Sequence, residues 1–415
     1  MRAASRVIGV LNEIGGVGPH LEPAHTTVQN FILRIGLYLL QQAQTRANDW
    51  IWIVDHTIAI GTLKCFVVLG IRHSDYLRLN RPLTHHDLVP LALIPVEQSN
   101  GAIVHRQFQH LIVTCGVPLA ILSDRGSDLK KGVELLQQEH SEVVGLDDIV
   151  HLVSRLIEKL LKEDDRWDEY RKASCQCANA VRQSKLAHLK PPRPKTKARY
   201  MNIDREVRWG ARALHVLDRV RNGNLNERQK KRLPLNMVEQ RFGWLDEYRE
   251  ELELWQELSS IGQRSCSVIR RHGYGRETIA ALKLKLGTAK HSSSRDLSGK
   301  ILEQVEALCE AATVHGSLPG SSEVIESLIG KGKRLLGFSS GNSLTRQILA
   351  MATSTAKLTP KLVRDALSSC RMKHLHRWCK DNLIPSIQQQ RREDLTPSPE
   401  EQNLTKPINV PIPDF

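Results

Sequence analysis

"VPLAILSDRGSDLKKG", Val117 to Gly132, is an apolar run that ends on a carboxylate and then turns charged. "VPLAILSD" follows Gly116 and reads as a short buried strand; "SDLKKGVELLQQEH" reads as a helix that Ser127 caps. Between them lies a polar loop holding Asp124, Arg125 and Gly126. In open α/β sheets, binding and catalytic sites form where strands end. Asp124 is therefore the first candidate site residue.

Upstream, "DWIWIVDHTIAIG" is β-rich and contains Asp55 inside an otherwise apolar run. A charge there is costly unless it is paired or binds metal. "TLKCFVVLGIR" follows a turn at Gly61 and makes a second strand, and "DLVPLALIPVE" a third. Pro90 and Pro95 put that third run at an edge or break it. "GAIVHRQFQHLIVTCG" has helical spacing with Gly116 at its stop. After Val117–Gly132 come a last short strand, "SEVVGLDD", and a strongly periodic helix, "DIVHLVSRLIEKLLKEDD". Three strands, then helix, strand, helix, strand, helix predict an α/β fold: a mixed sheet covered by helices. That order is the one found in the ribonuclease H-like fold.

The rest divides by composition. Residues 1–48 form a helical N-terminal region. Its main helix, entered at Thr26 and Thr27, is either an ordinary amphipathic helix or the recognition helix of a shortened helix-turn-helix. The first part of the core spans 49–163, and residues 164–316 read as an all-helical insertion. Residues 317–350 complete the core, and 351–415 hold further helices and a Pro-rich tail. Two stretches of the insertion are strongly basic. "LKPPRPKTKAR" contains Arg193, Lys195 and Lys197, and "RNGNLNERQKKR" ends on Lys230, Lys231 and Arg232. Each reads either as a solvated loop or as a loop that contacts phosphates. Trp167, Trp209, Trp244 and Trp255 read as helical-core packing, with stacking on a DNA base as the alternative.

Across the 415 residues, 59 Lys and Arg against 45 Asp and Glu give a net charge of +14. That balance favours a polyanionic partner. The eight cysteines are scattered and only Cys175 and Cys177 are close, which argues against a zinc module and fits a reducing compartment. No apolar run approaches the ~18 residues of a membrane span, and the N-terminus is a poor signal peptide. The expected location is cytoplasmic, with the nucleoid.

Asp148-x-x-His151 opens the helix after the last strand, a spacing that sets both side chains on one helical face. "WIVDHT", "ILSDRGSDLKKG" and "LDDIVH", in that order and followed by a long helical insertion, resemble the DDE transposases with a ribonuclease H-like core. Bacterial insertion-sequence enzymes and the Mutator and hAT superfamilies belong to that group. The resemblance covers roughly residues 49 to 162 and 317 to 340. It implies a third carboxylate on a helix after the insertion. "LPGSSEVIESLIGKGK", 318 to 333, offers Glu326, with Glu323 as the alternative; Ser321 and Ser322 cap its helix.

By the same resemblance, Asp55 would bridge two Mg²⁺ ions, with Mn²⁺ as a substitute, while Asp124 and Glu326 hold one each. Asp148 and His151 would support the site or contact substrate, or else serve only to lock the helix against the sheet. Lys331 and Lys333 would join the basic stretches in binding double-stranded DNA, with the protein acting as a homo-oligomer. The implied activity is DNA cleavage and strand transfer at transposon ends. The alternatives are a ribonuclease H-like nuclease without joining activity and a catalytically silent or truncated DNA-binding derivative.

Overall fold

Strand β1 (Trp50–Ile60) alternates its side chains between two apolar layers, and this alternation organises the structure. Trp50, Trp52 and Val54 face one way and pack with Phe66, Val68 and Ile121. Ile51 and Ile53 face the other way and pack with Val67, Leu69, Leu122 and Leu146. A computed structural model of the chain describes residues 6–8, 10, 22–60, 63–193, 203–335, 346–383, 385 and 387–395.

The sheet has the order β3-β2-β1-β4-β5. β2 (Leu63–Arg72) pairs antiparallel with β1 and places Val67 opposite Asp55. β3 (Val89–Val96) pairs antiparallel with β2 and is an edge strand. Pro90 and Pro95 lack amide donors, and an edge tolerates that loss. β4 (Ala120–Ser123) and β5 (Val144–Asp147) run parallel to β1, with Val54 beside Ser123 and Ser123 beside Asp147. β4 and β5 thus run out at one edge of the sheet, followed by or ending on an acidic residue, beside Asp55 in the middle of the longer β1.

Helices cover both faces. α2 (Gly101–Cys115) and α3 (Ser127–Glu139) lie on the Trp52 face through Phe108, Leu111, Leu129 and Leu136. They approach closely at Gly132, where a Cβ would stand 2.3 Å from Cγ1 of Val104. Gly132→Ala is expected to cost about 1–3 kcal/mol in urea denaturation, the usual range for overpacking. Unchanged stability would show that the two helices separate freely.

α1 (His25–Leu40) and α4 (Ile149–Lys162) lie on the Ile53 face through Leu33, Leu37, Leu152 and Leu156. Gly36 of α1 abuts the carbonyl of Leu349, and Arg34 donates to the carbonyls of Cys370 (2.6 Å) and Leu367 (2.5 Å). α1 is thereby tied to the C-terminal helices, and its apolar side is that of an amphipathic helix.

Beyond α4 the chain is helical: α5 (Asp165–Val181), α6 (Ile203–Arg221), α7 (Glu227–Arg232), α8 (Leu235–Phe242), α9 (Arg249–His272), α10 (Thr278–Leu286) and α11 (Ser292–Thr313). Its core is aromatic. Trp167 and Trp255 meet at 4.8 Å and are fully buried with Tyr170. The indole of Trp255 donates to Asp164 (3.0 Å), that of Trp209 to the Leu189 carbonyl (2.8 Å) and that of Trp244 to the Arg241 carbonyl (3.1 Å). All four rings pack in the helical core, Trp167 and Trp255 fully buried and Trp209 and Trp244 partly so.

A two-residue ladder, β6 (Tyr274–Gly275) with β7 (Ser317–Leu318), brings the chain back to the sheet. α12 (Glu323–Leu335) then packs on β1, followed by α13 (Leu349–Thr355), α14 (Pro360–Ser369), α15 (Met372–Asn382) and α16 (Ile387–Leu395). Among the described residues no helix is long and apolar enough to cross a membrane.

Candidate active site

Asp55 is the next odd-numbered position after Ile51 and Ile53, so its side chain joins the face covered by α4 and α12. Each buried aliphatic before it contributes about 1.5–3 kcal/mol, enough together to hold a costly carboxyl in mid-strand. Its Oδ1 accepts from the amide of His56 at 2.6 Å. Burial first, and then the negative charges of Asp124 and Glu326, lift its carboxyl from the ordinary 3.8 to about 7. The His56 amide and His151 pull the other way and lose.

Asp124 follows β4 directly. Its Oδ1 accepts from the amide of Gly126 at 2.8 Å, which turns the loop. Arg125 sits at φ 57, a left-handed conformation unusual for a residue with a Cβ. Its guanidinium pairs with Asp147. From α4, Arg155 donates to the Asp124 carbonyl at 3.0 Å and lies 3.7 Å from Asp147. Gly126 is the N-cap of α3, with no side-chain bond from Ser127. The expected Ser127 cap is thus displaced by one residue: Ser127 is the helix's first residue, and Asp128 takes the Leu129 amide (2.9 Å).

Glu326 lies in the first turn of α12, exposed, with Oε1 3.5 Å from Nε2 of His151. His151 is raised above its ordinary value: burial opposes its charge most, but Glu326, Asp148 and Asp124 together outweigh it. Glu323 points elsewhere and pairs with Arg270 of α9. Of the two acids offered by "EVIES", Glu326 is the one whose charge acts on Asp55.

Asp148 is almost fully buried and holds two helix starts. Oδ1 caps α4, accepting from the amides of Val150 (2.6 Å) and His151 (3.2 Å). Oδ2 accepts from both the amide (2.5 Å) and the hydroxyl of Ser322, just before α12. Nearby, the amide of Ile149 donates to the carbonyl of Gly320 (2.9 Å), and the hydroxyl of Tyr274 to that of Asp147 (2.7 Å). Of the two roles the sequence leaves for Asp148, these bonds are those of a helix lock.

The opposite face of β1 has its own polar group. His56 Nε2 is 3.2 Å from the Ser99 hydroxyl and its Nδ1 3.6 Å from Asp128, which Lys64 holds at 3.0 Å. Burial keeps this imidazole below its ordinary value, the leading cause over the opposing pull of Asp128. The cluster ties the first turn of α3 to β1 and β2, and so steadies the Asp124 loop.

The donors gathered near Asp55 are oxygens, the type a hard divalent cation takes, and a carboxyl held near neutral by neighbouring negative charge is one that a cation would relieve. Among the described residues, however, no group of three or more His, Cys, Asp or Glu side chains is drawn to metal-binding spacing. Glu326 rests against His151 instead.

The basic candidates scatter. Arg193, Lys231 and Arg232 are exposed, and Lys230 pairs with Glu227 at 2.8 Å. The stretch read as a loop is in part the helix α7, set by a capping box between Asn226 and Gln229. Lys331 reaches Nε2 of His85 at 2.9 Å. Lys195, Lys197 and the side chain of Lys333 lie outside the described residues. Sequence reading missed Arg125 and Arg155, partly exposed cations flanking Asp124; the helical step from His151 to Arg155 is the signal that could have found the second.

Comparison with models of known protein families finds no match, and comparison with curated proteins finds none. Among solved structures the chain is similar to the Drosophila P element transposase strand transfer complex, at 10% identity over 87% of this chain and 93% of that chain, with a TM-score of 0.36. At that identity and score the likeness is too loose to assign a shared fold.

Proposed function

We propose that this chain is a DNA transposase of the DDE type, cutting DNA and joining the ends through Asp55, Asp124 and Glu326 on a ribonuclease H-like core. The observation that supports the reading is that Asp55, buried on the face of β1 that α12 covers, feels the negative charge of both Asp124 and Glu326. Asp55 stands on β1 just past its pairing with β4, Asp124 follows β4 directly, and Glu326 returns on a helix after the whole insertion. The strand order β3-β2-β1-β4-β5, antiparallel then parallel, supports the ribonuclease H-like core.

In this reading Asp55, Asp124 and Glu326 hold Mg²⁺ or Mn²⁺, which supplies charge neutralisation at the attacking and leaving oxygens of the phosphodiester. The remaining work belongs to the chain. Arg125 and Arg155 present positive charge beside Asp124, suited to a DNA phosphate. His151, its proton affinity raised by Glu326, Asp148 and Asp124 against its own burial, adds an imidazole on that edge. The domain limits proposed are the core at 49–163 and 317–350 around the insertion at 164–316.

A strand-transfer assay with labelled DNA ends and Mg²⁺ or Mn²⁺ tests the reading. Joined product is expected. Cleavage without joining would make the protein a nuclease, and salt-sensitive binding alone a silent DNA-binding derivative.

A further inference from the structure

We propose that Ser322 is a positioning residue: its amide and hydroxyl, both taken by Asp148, fix the first turn of α12 against the first turn of α4 and so place Glu326 beside His151 and Asp55. The inference deepens the reading above and rests on it only for the role of Glu326.

The bonds are unusual in their reach and burial. Asp148 and Ser322 are 174 residues apart, and both are buried. One carboxylate serves two helix starts, with one oxygen for each. A single buried anion shared in this way is fully satisfied, and removing one partner strands it. The neighbours reinforce the join. Gly320 has no room for a side chain, since a Cβ would lie 2.3 Å from Ile269, and its carbonyl takes the Ile149 amide. Ile269 belongs to α9 and Tyr274 to β6, so the seam touches the longest helix of the insertion and the strand that pairs with β7. Glu326 is one helical turn beyond Ser322, with only Glu323, Val324 and Ile325 between. Small movements at the seam are therefore passed to the carboxylate with little slack. Ser322 differs from an ordinary helix cap because its partner is a buried acid on another helix rather than its own backbone.

Ser322→Ala removes the hydroxyl bond and no charge. Amide hydrogen exchange in the first turns of α12 and α4 is expected to speed by about 10-fold or more relative to the rest of the chain. Mn²⁺ affinity is expected to fall by about 10–100-fold, as when partners behind a metal ligand are lost. Ser322→Thr keeps the hydroxyl and is expected to restore both; it also covers the case in which the alanine variant folds poorly. Wild-type exchange at α12 and α4 in Ser322→Ala, or an alanine-like result in Ser322→Thr, overturns the proposal. Exchange needs neither cation nor DNA. Failure of wild-type protein to bind Mn²⁺ therefore defeats the catalytic reading, while the exchange result still decides whether Ser322 positions α12.

Discussion

Asp55→Asn is expected to reduce DNA joining by on the order of 10³-fold or more and, in the absence of divalent cation, to stabilise the protein at alkaline pH. Both effects come from one carboxyl. Burial, then Asp124 and Glu326, raise it to about 7. A carboxyl whose folded value is raised favours the folded state only while protonated. That contribution is complete below about pH 4 and is lost as pH rises through about 7. In EDTA at pH 8 the wild-type protein carries an ionised, buried Asp55 that the asparagine variant lacks. The shift of about 3 units sets an upper bound of about 4 kcal/mol for the difference. Urea denaturation at pH 5 and pH 8 checks it: the variant's advantage over wild type is expected to be larger at pH 8 than at pH 5, by about 2–3 kcal/mol. An identical difference at both values would mean that Asp55 does not titrate between them.

Glu326→Gln is expected to match Asp55→Asn in its loss of joining, and Glu323→Gln to stay within about 3-fold of wild type. The two acids are three residues apart on one helix. Glu326 faces His151, whereas Glu323 is paired with Arg270 on α9 in a half-exposed ion pair. Losing such a pair costs about 0–1 kcal/mol. Side-by-side strand-transfer rates, with stability measured on the same samples, separate the two. A reversed order would move the third carboxylate to Glu323.

This contrast marks where sequence reading stops. Both acids follow the same helix start, and nothing local chooses between them; the choice is made by Arg270, on a helix of the insertion. The Asp148–Ser322 join was illegible for the same reason, since it links two segments that only the folded insertion brings together. What was legible had a local cause. Alternation through "WIWIVD" put a carboxyl within a strand covered on both faces, and Pro90 and Pro95 marked β3 for an edge. The order of strands and helices gave the mixed sheet, because parallel strands need helical crossovers. The "RNGNLNERQKKR" stretch was misread where Asn226 and Gln229 did carry a helix signal, masked by the surrounding charge.

The proposed convergence of Asp55, Asp124 and Glu326 on one divalent-cation site is tested most directly by Fe²⁺-directed hydroxyl-radical cleavage of the protein itself. Bound Fe²⁺ cuts the backbone near its ligands. The account predicts three cuts, near Asp55, Asp124 and Glu326, suppressed together by Mg²⁺ and absent in Asp55→Ala. Cuts near Asp55 and Asp124 with none near Glu326, or no Mg²⁺-sensitive cuts, would contradict it.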